Sequence, residues 1–307
     1  MDDLLKVSYA KDFLDLAALG MVADMMDLKN LETRYYVVEG TKNINVKNPF
    51  IKGMMKKNEF KIKNELNSFT ISWYIAPFVN AMTRSGTIEE KILLFKALLE
   101  HEAYRLVPST KVRGADLKEV LLDQAIRVSG NVKNRQEREK SAALEVIKKK
   151  LSTMDIDEFP VLFIQLEKSL DGNLNGLLAN QIMAEYQKPT LVLTHRDIGT
   201  WEGSVRGFEM ETVKDWQQFI GSSPNALYAK GHPFAFGAGF TPEGLELFKQ
   251  EIKEKLAGVS MEKSYSVDFL WNQKDNFDST ILKLADSKGL WGQGVSEPLV
   301  ALSIPVT

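Results

Sequence analysis

An uninterrupted, highly charged segment near the middle of the chain sets the strongest constraint on its fold. Residues 131–151, NVKNRQEREKSAALEVIKKKL, contain neither Gly nor Pro. One Glu–Lys pair in it, four residues apart, stands in the order that stabilises helices. Such a charge run is usually a solvated face, although its basic side chains are also able to follow a nucleic-acid backbone. We therefore expect a connecting helix at 131–153, between a first lobe at 1–130 and a second lobe at 154–258.

The second lobe alternates between strand and helix patterns. The apolar runs at 160–166 and 190–194 predict buried strands, and the segment between them, 174–187, predicts an amphipathic helix. A strand–helix–strand unit of this length implies a right-handed parallel pair. Further patterns predict strands at 203–208 and 234–240, a helix at 211–220 and a helix from Thr241 to Gly258.

The remaining parts of the chain differ from this lobe in pattern. The first lobe is largely helical, with helical segments at 12–26, 88–105 and 115–128, a short helix and a loop at 34–58, and an apolar run at 69–80 that Pro77 stops. The final segment, 259–307, contains short strand patterns and the turn-rich sequence GLWGQGVSEP. It predicts the beginning of a β-barrel that lacks its closing strands.

The amino-acid composition limits the kinds of catalytic and metal-binding sites that the chain is able to form. The chain has no cysteine, which excludes disulfides, zinc–thiolate sites and a cysteine nucleophile, and fits a cytoplasmic protein. With only three histidines, a divalent metal has to rely on carboxylates, which favours Mg²⁺ or Mn²⁺. The net charge of −2 means that a nucleic-acid partner needs a local basic groove. We expect neither a secretory signal nor a membrane partner, since the N-terminus is acidic and the apolar runs are short.

Four separated segments together carry a family resemblance. They are LDLAALGMVAD at 14–24, IAPFVNAMTRSG at 75–86, GSVRG at 203–207 and KGHPFAFGAGF at 230–240. In order and spacing they resemble motifs of the RecJ-type single-stranded-DNA exonucleases of the DHH phosphoesterase superfamily. The segments NRQER at 134–138 and GLWGQGVSEPL at 289–299 resemble that family's entry to a long helix and a turn of its OB-fold domain.

The resemblance implies an α/β fold and an activity. The fold consists of a remnant of a DHH domain, a long connecting helix, a DHH-associated α/β domain with a mixed sheet, and a partial OB-like β segment. The activity is 5′-to-3′ hydrolysis of single-stranded DNA with Mn²⁺ or Mg²⁺, in DNA recombination and repair. The family's Asp-His-His motif lies upstream of the fourth motif, yet only 13 residues precede Leu14. We therefore expect the chain to be a fragment, a split product or a truncated gene product. We expect it to be inactive alone. Its expected partners are the missing DHH half or other recombination and repair proteins.

Two carboxylates compete for a metal-binding role. Asp15 and Asp24 lie nine residues apart, which is half a turn out of phase on a straight helix, so both cannot face one metal. The family pattern favours Asp24 as metal ligand and catalytic residue, and makes Asp15 the less favoured choice. The alternative is that Asp24 caps the helix end or is a surface acid.

Nucleic-acid contacts are predicted in two places. Asn80 and Arg84 stand four apart and are able to grip one phosphate or sugar, although this chain has Phe78 where the family has Arg. The alternative for Arg84 is an ion pair with Glu89 or Glu90.

The second place is in the second lobe. Ser204 and Arg206 alternate along a predicted strand and so share one face. With Lys230, Gly231 and His232 they would line a groove for the 5′ end of a strand. The alternative is that the glycines serve turns and bulges and that His232 is partly buried. Among the aromatic residues of this lobe we assign Trp201 to base stacking.

Other interpretations stay open at this point. The chain is also compatible with a non-catalytic module that binds single-stranded nucleic acid, or with a small phosphodiesterase for short oligonucleotides or cyclic dinucleotides. Departures from the family pattern at Phe78, Asp171 and Asn173 suggest a divergent, phage-encoded member.

Overall fold

The computed structural model of the 307-residue chain describes most of its residues, in several stretches. They are 4, 6, 9–63, 65–112, 116–166, 174–208, 210, 212–259, 267–272, 279, 283, 286, 287, 289 and 291–303. Contacts divide the chain into two compact units, one made of Met1–Gln136 with Ser266–Thr307 and the other of Glu137–Tyr265. The four-part division of the sequence remains a prediction.

The first unit consists mainly of helices. They are α1 (Leu14–Ala23), α2 (Leu31–Thr41), α3 (Pro49–Lys57), α4 (Glu59–Ile62), α5 (Ser68–Tyr74), α6 (Ala76–Ser85), α7 (Ile88–Leu98) and α8 (Glu100–Ala103). Side-chain caps fix several starts: the Asn48 side chain accepts from the N–H groups of Phe50 and Ile51, with Pro49 at the first helical position. Apolar side chains such as Phe50 and Met82 fill the core between the helices.

Three predictions for this unit need correction. The segment 34–58 was predicted as a short helix and a loop but contains most of α2 and all of α3, because Pro49 is placed where a proline favours the start of a helix. Pro77 likewise lies in the first turn of α6. The predicted helix at 115–128 starts only at 121, because strands β1 (Leu106–Pro108) and β2 (Lys118–Val120) form an antiparallel hairpin ahead of it.

The predicted charged helix is longer than its sequence pattern. Helix α9 runs from Leu121 to Leu151, so that its first part belongs to the first unit and its last part to the second. The earlier start follows from a stretch, 121–130, that packs apolar residues such as Leu121 and Ala125 into the first core.

The second unit is built on a five-stranded mixed sheet. Its strands are β3 (Leu162–Leu166), β4 (Thr190–His195), β5 (Trp201–Arg206), β6 (Tyr228–His232) and β7 (Ala235–Phe240), in the order β3-β4-β5-β7-β6. Strands β3 and β4 are parallel, as predicted, and the other neighbours are antiparallel. Its helices are α10 (Asn175–Tyr186), α11 (Trp216–Gly221) and α12 (Pro242–Lys255). The sequence pattern missed β6 and placed the start of α11 five residues too early, since Asp215 is the residue whose side chain caps it.

The two faces of this sheet have different cover. On one face, α11 and α12 pack against residues such as Val205, Phe236 and Phe240. On the other face, α10 and the end of α9 cover β3 and β4 through residues such as Ile164 and Val192. Alternation along the strands places Ser204, Arg206 and their cross-strand neighbours on this second face, beyond the apolar cluster that α10 covers.

Among its described residues, the final segment contains a short parallel pair, β8 (Phe269–Asn272) with β9 (Val300–Ser303). The predicted OB-like strands fall mostly outside the described residues. Its turn at 291–295 packs within the first unit, where Ser68 Oγ donates to the carbonyl of Trp291 (2.6 Å). Among the described helices, none combines the length and the apolar character that a membrane crossing needs.

Candidate nucleic-acid interface

Both oxygens of the Asp15 carboxylate accept backbone hydrogen bonds. Asp15 is completely buried, and its Oδ2 accepts from the N–H groups of Lys47 (2.8 Å) and Asn48 (2.7 Å). Its Oδ1 accepts from the N–H of Leu16 (2.8 Å). This carboxylate joins the start of α1 to the start of α3, which is a structural role.

Asp24 has the opposite environment. It is exposed at the C-terminal end of α1, where its N–H donates to the carbonyl of Gly20 (3.0 Å) and the next residue, Met25, has a left-handed backbone (φ 55°). No described residue donates a hydrogen bond to its carboxylate. Within the described stretches, no three His, Asp or Glu side chains come together as metal ligands. These residues alone do not fit a two-metal centre.

Arg84 lacks the ion pair that was its structural alternative. Glu90 instead binds Arg135 (Oε2 to Nη2, 2.8 Å) and caps α7 by accepting from the N–H of Thr87 (2.8 Å). The hydrogen bond from Arg135 is the main reason why the pKa of Glu90 lies below its usual value. Arg84 is exposed and makes no ion pair with a described residue, while Asn80 is half-buried on the same helix.

In the second unit the sheet aligns the predicted groove residues across three strands. Ser204 is directly opposite Gly237, and Gly237 is opposite Lys230. One row further along, Arg206 is opposite Ala235, which is opposite His232. Directly opposed residues in antiparallel strands project from the same face. We call this part of the sheet, Ser204, Arg206, Lys230, His232 and Gly237, the cradle.

The start of α10 borders the cradle. A Cβ built on Gly176 would lie 2.6 Å from Arg206 Nη2 and 3.5 Å from Ser204 Oγ. Both side chains therefore lie against the first turn of α10, where unpaired backbone N–H groups favour anions. The neighbouring Asn175 is buried; its Nδ2 donates to Thr194 Oγ1 (3.1 Å), while no described residue donates to its Oδ1.

The middle of the cradle leaves room for a small group. A Cβ built on Gly237 would meet, among the described residues, the backbone oxygens of Gly203 (3.6 Å) and Lys230 (3.9 Å), both at ordinary contact distance. Lys230 and His232 are exposed, with no side-chain hydrogen bond to a described residue. An anion above Gly237 would thus have cationic side chains on both sides.

Gly231 has a structural explanation. Its φ of 143° is unfavourable for other residues, and a Cβ there would come within 2.8 Å of Phe236 Cα. The close approach of β6 to β7 accounts for this glycine without a ligand.

The end of this sheet face away from Arg206 carries an acidic residue, Glu202. Tyr228 lies across Gly239, and its hydroxyl bonds Glu202. Burial, together with the negative charge of Glu202, raises the pKa of Tyr228. Arg196 also approaches Glu202 (Nε to Oε2, 3.6 Å). An anionic ligand is therefore expected at the Ser204–Arg206 end of the face.

Trp201 does not share this face. It is an odd number of residues from Ser204 and packs against the core that contains Val205 and Phe240, with its ring 5.0 Å from that of His195. Because side chains alternate along a strand, Trp201 lies on the face opposite Ser204 and Arg206, and its assignment to base stacking stays a prediction. The predicted departures at Asp171 and Asn173 lie outside the described residues.

Comparison with known proteins identifies relatives. No family model matches the chain. The chain is 34% identical over 311 residues to a protein of Bacillus subtilis (strain 168) named as a putative SPbeta prophage-derived single-strand DNA-specific exonuclease, YorK, with 99% of this chain and 53% of that relative covered. It is 24% identical over 297 residues to the single-stranded-DNA-specific exonuclease RecJ of Haemophilus influenzae, with 94% of this chain and 48% of RecJ covered. The chain is thus similar in sequence to proteins named as single-strand DNA-specific exonucleases. It spans about half the length of the curated relatives it matches.

The fold is shared with RecJ. The crystal structure of RecJ from Thermus thermophilus in complex with Mn²⁺ has a TM-score of 0.68 at 17% identity, with 98% of this chain and 41% of that one covered. The complex of the same RecJ with Mg²⁺ has a TM-score of 0.64 at 18% identity, with 97% and 42% covered. At such identities the likeness concerns the fold alone, and it confirms the predicted α/β architecture with a mixed sheet.

The RecJ-type sequence motifs fall on different parts of this chain. Asp24, Asn80 and Arg84 belong to the first unit, and the cradle belongs to the second. Sequence reasoning missed the contact of Gly176 with Arg206, whose only signal was a glycine in the first turn of a predicted helix.

Proposed function

We propose that this chain is the strand-binding part of a RecJ-like 5′-to-3′ exonuclease, and that the cradle binds the 5′-terminal phosphate of single-stranded DNA. The observation that carries the proposal is the meeting of Arg206 and Ser204 with Gly176 at the start of α10, on a face that exposes Lys230 and His232. The relatives named as single-strand DNA-specific exonucleases support the choice of ligand.

The chemistry of the cradle suits a phosphate monoester. Arg206 supplies a planar guanidinium that is able to bind two phosphate oxygens, and it stays charged at any physiological pH. Ser204 supplies a hydroxyl donor, and the first turn of α10 supplies a positive dipole end. Gly237 leaves room for the nucleotide to approach the backbone.

The hydrolytic step needs more than the described residues offer. RecJ structures contain Mn²⁺ or Mg²⁺, which supports a divalent metal in the complete enzyme. In this chain Asp24 is the one candidate ligand that we retain, because Asp15 is engaged with backbone N–H groups. We infer that the isolated chain binds single strands without digesting them. A second candidate function is that of a non-catalytic module that binds single-stranded nucleic acid. It is favoured because the described residues contain no cluster of carboxylates that could hold a metal.

A charge-matched ligand series tests the proposal. One oligonucleotide is prepared with a 5′-phosphate, with a 3′-phosphate and with neither, and each is titrated against the chain at fixed low salt. The cradle predicts that the 5′-phosphate form binds about tenfold more tightly than the other two, since a charge-assisted hydrogen bond contributes about 1.5–3 kcal/mol. Equal binding of the 5′- and 3′-phosphate forms would mean that only total charge matters, and would contradict the proposal.

A further inference from the structure

Three lysines of the first unit lie over two aromatic rings. The Nζ atoms of Lys57 and Lys133 are 4.8 Å and 5.7 Å from the centroid of the Phe78 ring. Lys61 Nζ is 5.5 Å from the centroid of the Tyr74 ring. Phe78 and Tyr74 are half-buried and only four residues apart, across the junction of α5 and α6. The two rings thus hold three ammonium groups along one short stretch of surface, which we call the lysine strip.

The positive charges of the lysine strip are not neutralised by the described residues. Other lysines of this unit pair with carboxylates, for example Lys42 with Glu39 and Lys47 with Asp12. Lys57 instead donates to the carbonyl of Ile126 (3.1 Å). Its burial lowers its pKa, because leaving water disfavours the charged ammonium group. An anion at this place would stabilise all three ammonium groups.

An exposed indole lies next to the strip. Trp73 precedes Tyr74 on α5 and is 65% exposed. The Phe69 ring supports it from one side, with the ring centroids 6.1 Å apart. An indole held in this way is suited to stack on a base, which is a sequence-tolerant contact that single-stranded nucleic acids make with proteins.

We propose that Lys57, Lys61 and Lys133, together with Trp73, form a second binding site for single-stranded nucleic acid. The ammonium groups bind neighbouring backbone phosphates, and the indole stacks on a base. The site lies in the first unit, shares no residue with the cradle, and rests on the proposed function only for the identity of the ligand. An acidic protein segment would use the ammonium groups, but it has no base to stack on Trp73.

The salt dependence of binding tests the strip. The probe is a fluorescently labelled oligothymidylate with a 5′-hydroxyl, titrated at several salt concentrations. The variant combines Lys57→Gln, Lys61→Gln and Lys133→Gln. Because each phosphate contact on a single strand contributes about 0.7 to the slope of log K against log salt, the triple variant should lose about 2 from that slope. The melting temperature of the triple variant is measured in parallel. A second variant, Trp73→Ala, changes an exposed position. It should weaken binding about fivefold or more and keep the wild-type slope.

A charge-matched control separates the strip from net charge. The control combines Lys29→Gln, Lys42→Gln and Lys96→Gln, three exposed lysines of the same unit. It should keep the wild-type slope. A strip variant that behaves like this control, or a wild-type chain that does not bind the probe, would overturn the proposal. The proposal would also be overturned if polyglutamate competed as well as oligothymidylate and Trp73→Ala left the affinity unchanged. These two outcomes together would indicate an acidic protein partner.

Different measurements test the cradle and the lysine strip. The ratio of affinities for 5′-phosphate and 5′-hydroxyl oligonucleotides reports on the cradle, and the strip variant should leave this ratio unchanged. A wild-type chain without any 5′-phosphate preference would contradict the proposed function, whereas the loss of slope in the strip variant would still support the second site.

Discussion

Arg206 lies directly against Gly176, so closely that a Cβ on Gly176 would come within 2.6 Å of Arg206 Nη2. The guanidinium is the flexible end of a long side chain, and its Nη1 donates to the carbonyl of Val205 (2.7 Å). The contact links the first turn of α10 to β5, and it requires the smallest residue beside the guanidinium.

Gly176→Ala should therefore separate binding from stability. Alanine favours a helix over glycine by about 1 kcal/mol, so the melting temperature should stay or rise. The added methyl should displace the Arg206 guanidinium and lower the preference for a 5′-phosphate severalfold. Thermal melting and paired oligonucleotide titrations measure the two effects. Ala184→Gly, near the other end of α10, serves as a control that should lower stability and leave the preference intact.

Asp15 and Asp24 should respond in opposite ways to the same change. Asp15→Ala leaves the N–H groups of Lys47 and Asn48, the second of them buried, without their acceptor, which should cost about 2–4 kcal/mol in the free energy of unfolding. Asp24→Ala, at an exposed position, should change it by less than about 0.5 kcal/mol. Urea unfolding of both variants provides the comparison. A stable Asp15→Ala chain would show that the buried carboxylate is not structural.

Glu119 should make the first unit sensitive to acid. Its burial tends to raise its pKa, but hydrogen bonds from Gln124 (2.9 Å), Arg127 (2.6 Å) and the N–H of Thr110 (3.2 Å) outweigh this and lower the pKa to about 2. Because the folded value lies below the usual 4.5, the stabilisation is complete above about pH 4.5 and is lost as the pH falls towards 2.

The corresponding variant is Glu119→Gln. It should be less stable than the wild type at pH 7 by roughly 2–3 kcal/mol, and the difference should shrink between about pH 4.5 and about pH 2.5. Urea titrations of both chains across this range measure it. A difference that stays constant with pH would show that the carboxyl does not titrate with folding.

The isolated chain should not digest single-stranded DNA when Mn²⁺ is added. A two-metal centre needs several carboxylate or imidazole ligands, and among the described residues Asp24 alone does not supply them. Incubation with a 5′-labelled oligonucleotide followed by gel electrophoresis provides the measurement, and Asp24→Ala serves as a background control. Metal-dependent digestion that survives repurification and disappears in Asp24→Ala would contradict the inference.

Much of the second unit could be predicted because its signals are local. Apolar runs predicted the parallel pair of β3 and β4, and Thr241 with Pro242 marked the start of α12. Strand β6, YAKGH, was missed because it is a short edge strand whose exposed Lys and Gly residues lack apolar alternation. In the first unit, the hairpin ahead of α9 overrode a helical pattern through pairing that lies outside any local window.

In the candidate site, too, the local arrangement could be predicted from the sequence and the long-range contacts could not. Alternation along β5 correctly put Ser204 and Arg206 on one face, and the same rule places Trp201 on the other. The approach of Gly176 to Arg206 joins residues about 30 positions apart, so no local pattern reveals it. The lysine strip depends likewise on Lys133, from α9, reaching a ring on α6.

The most direct test of the 5′-phosphate site is the affinity ratio for 5′-phosphate and 5′-hydroxyl oligonucleotides, measured for the wild type and Arg206→Ala at one low salt concentration. The wild type should prefer the 5′-phosphate by about tenfold, and Arg206→Ala should bind both forms alike, because the guanidinium provides the charge-assisted bonds. Arg105→Ala, which removes an exposed arginine of the first unit, should keep the wild-type ratio. An Arg206→Ala chain that melts at a lower temperature yet keeps the full preference would show that Arg206 is structural, and would contradict the cradle.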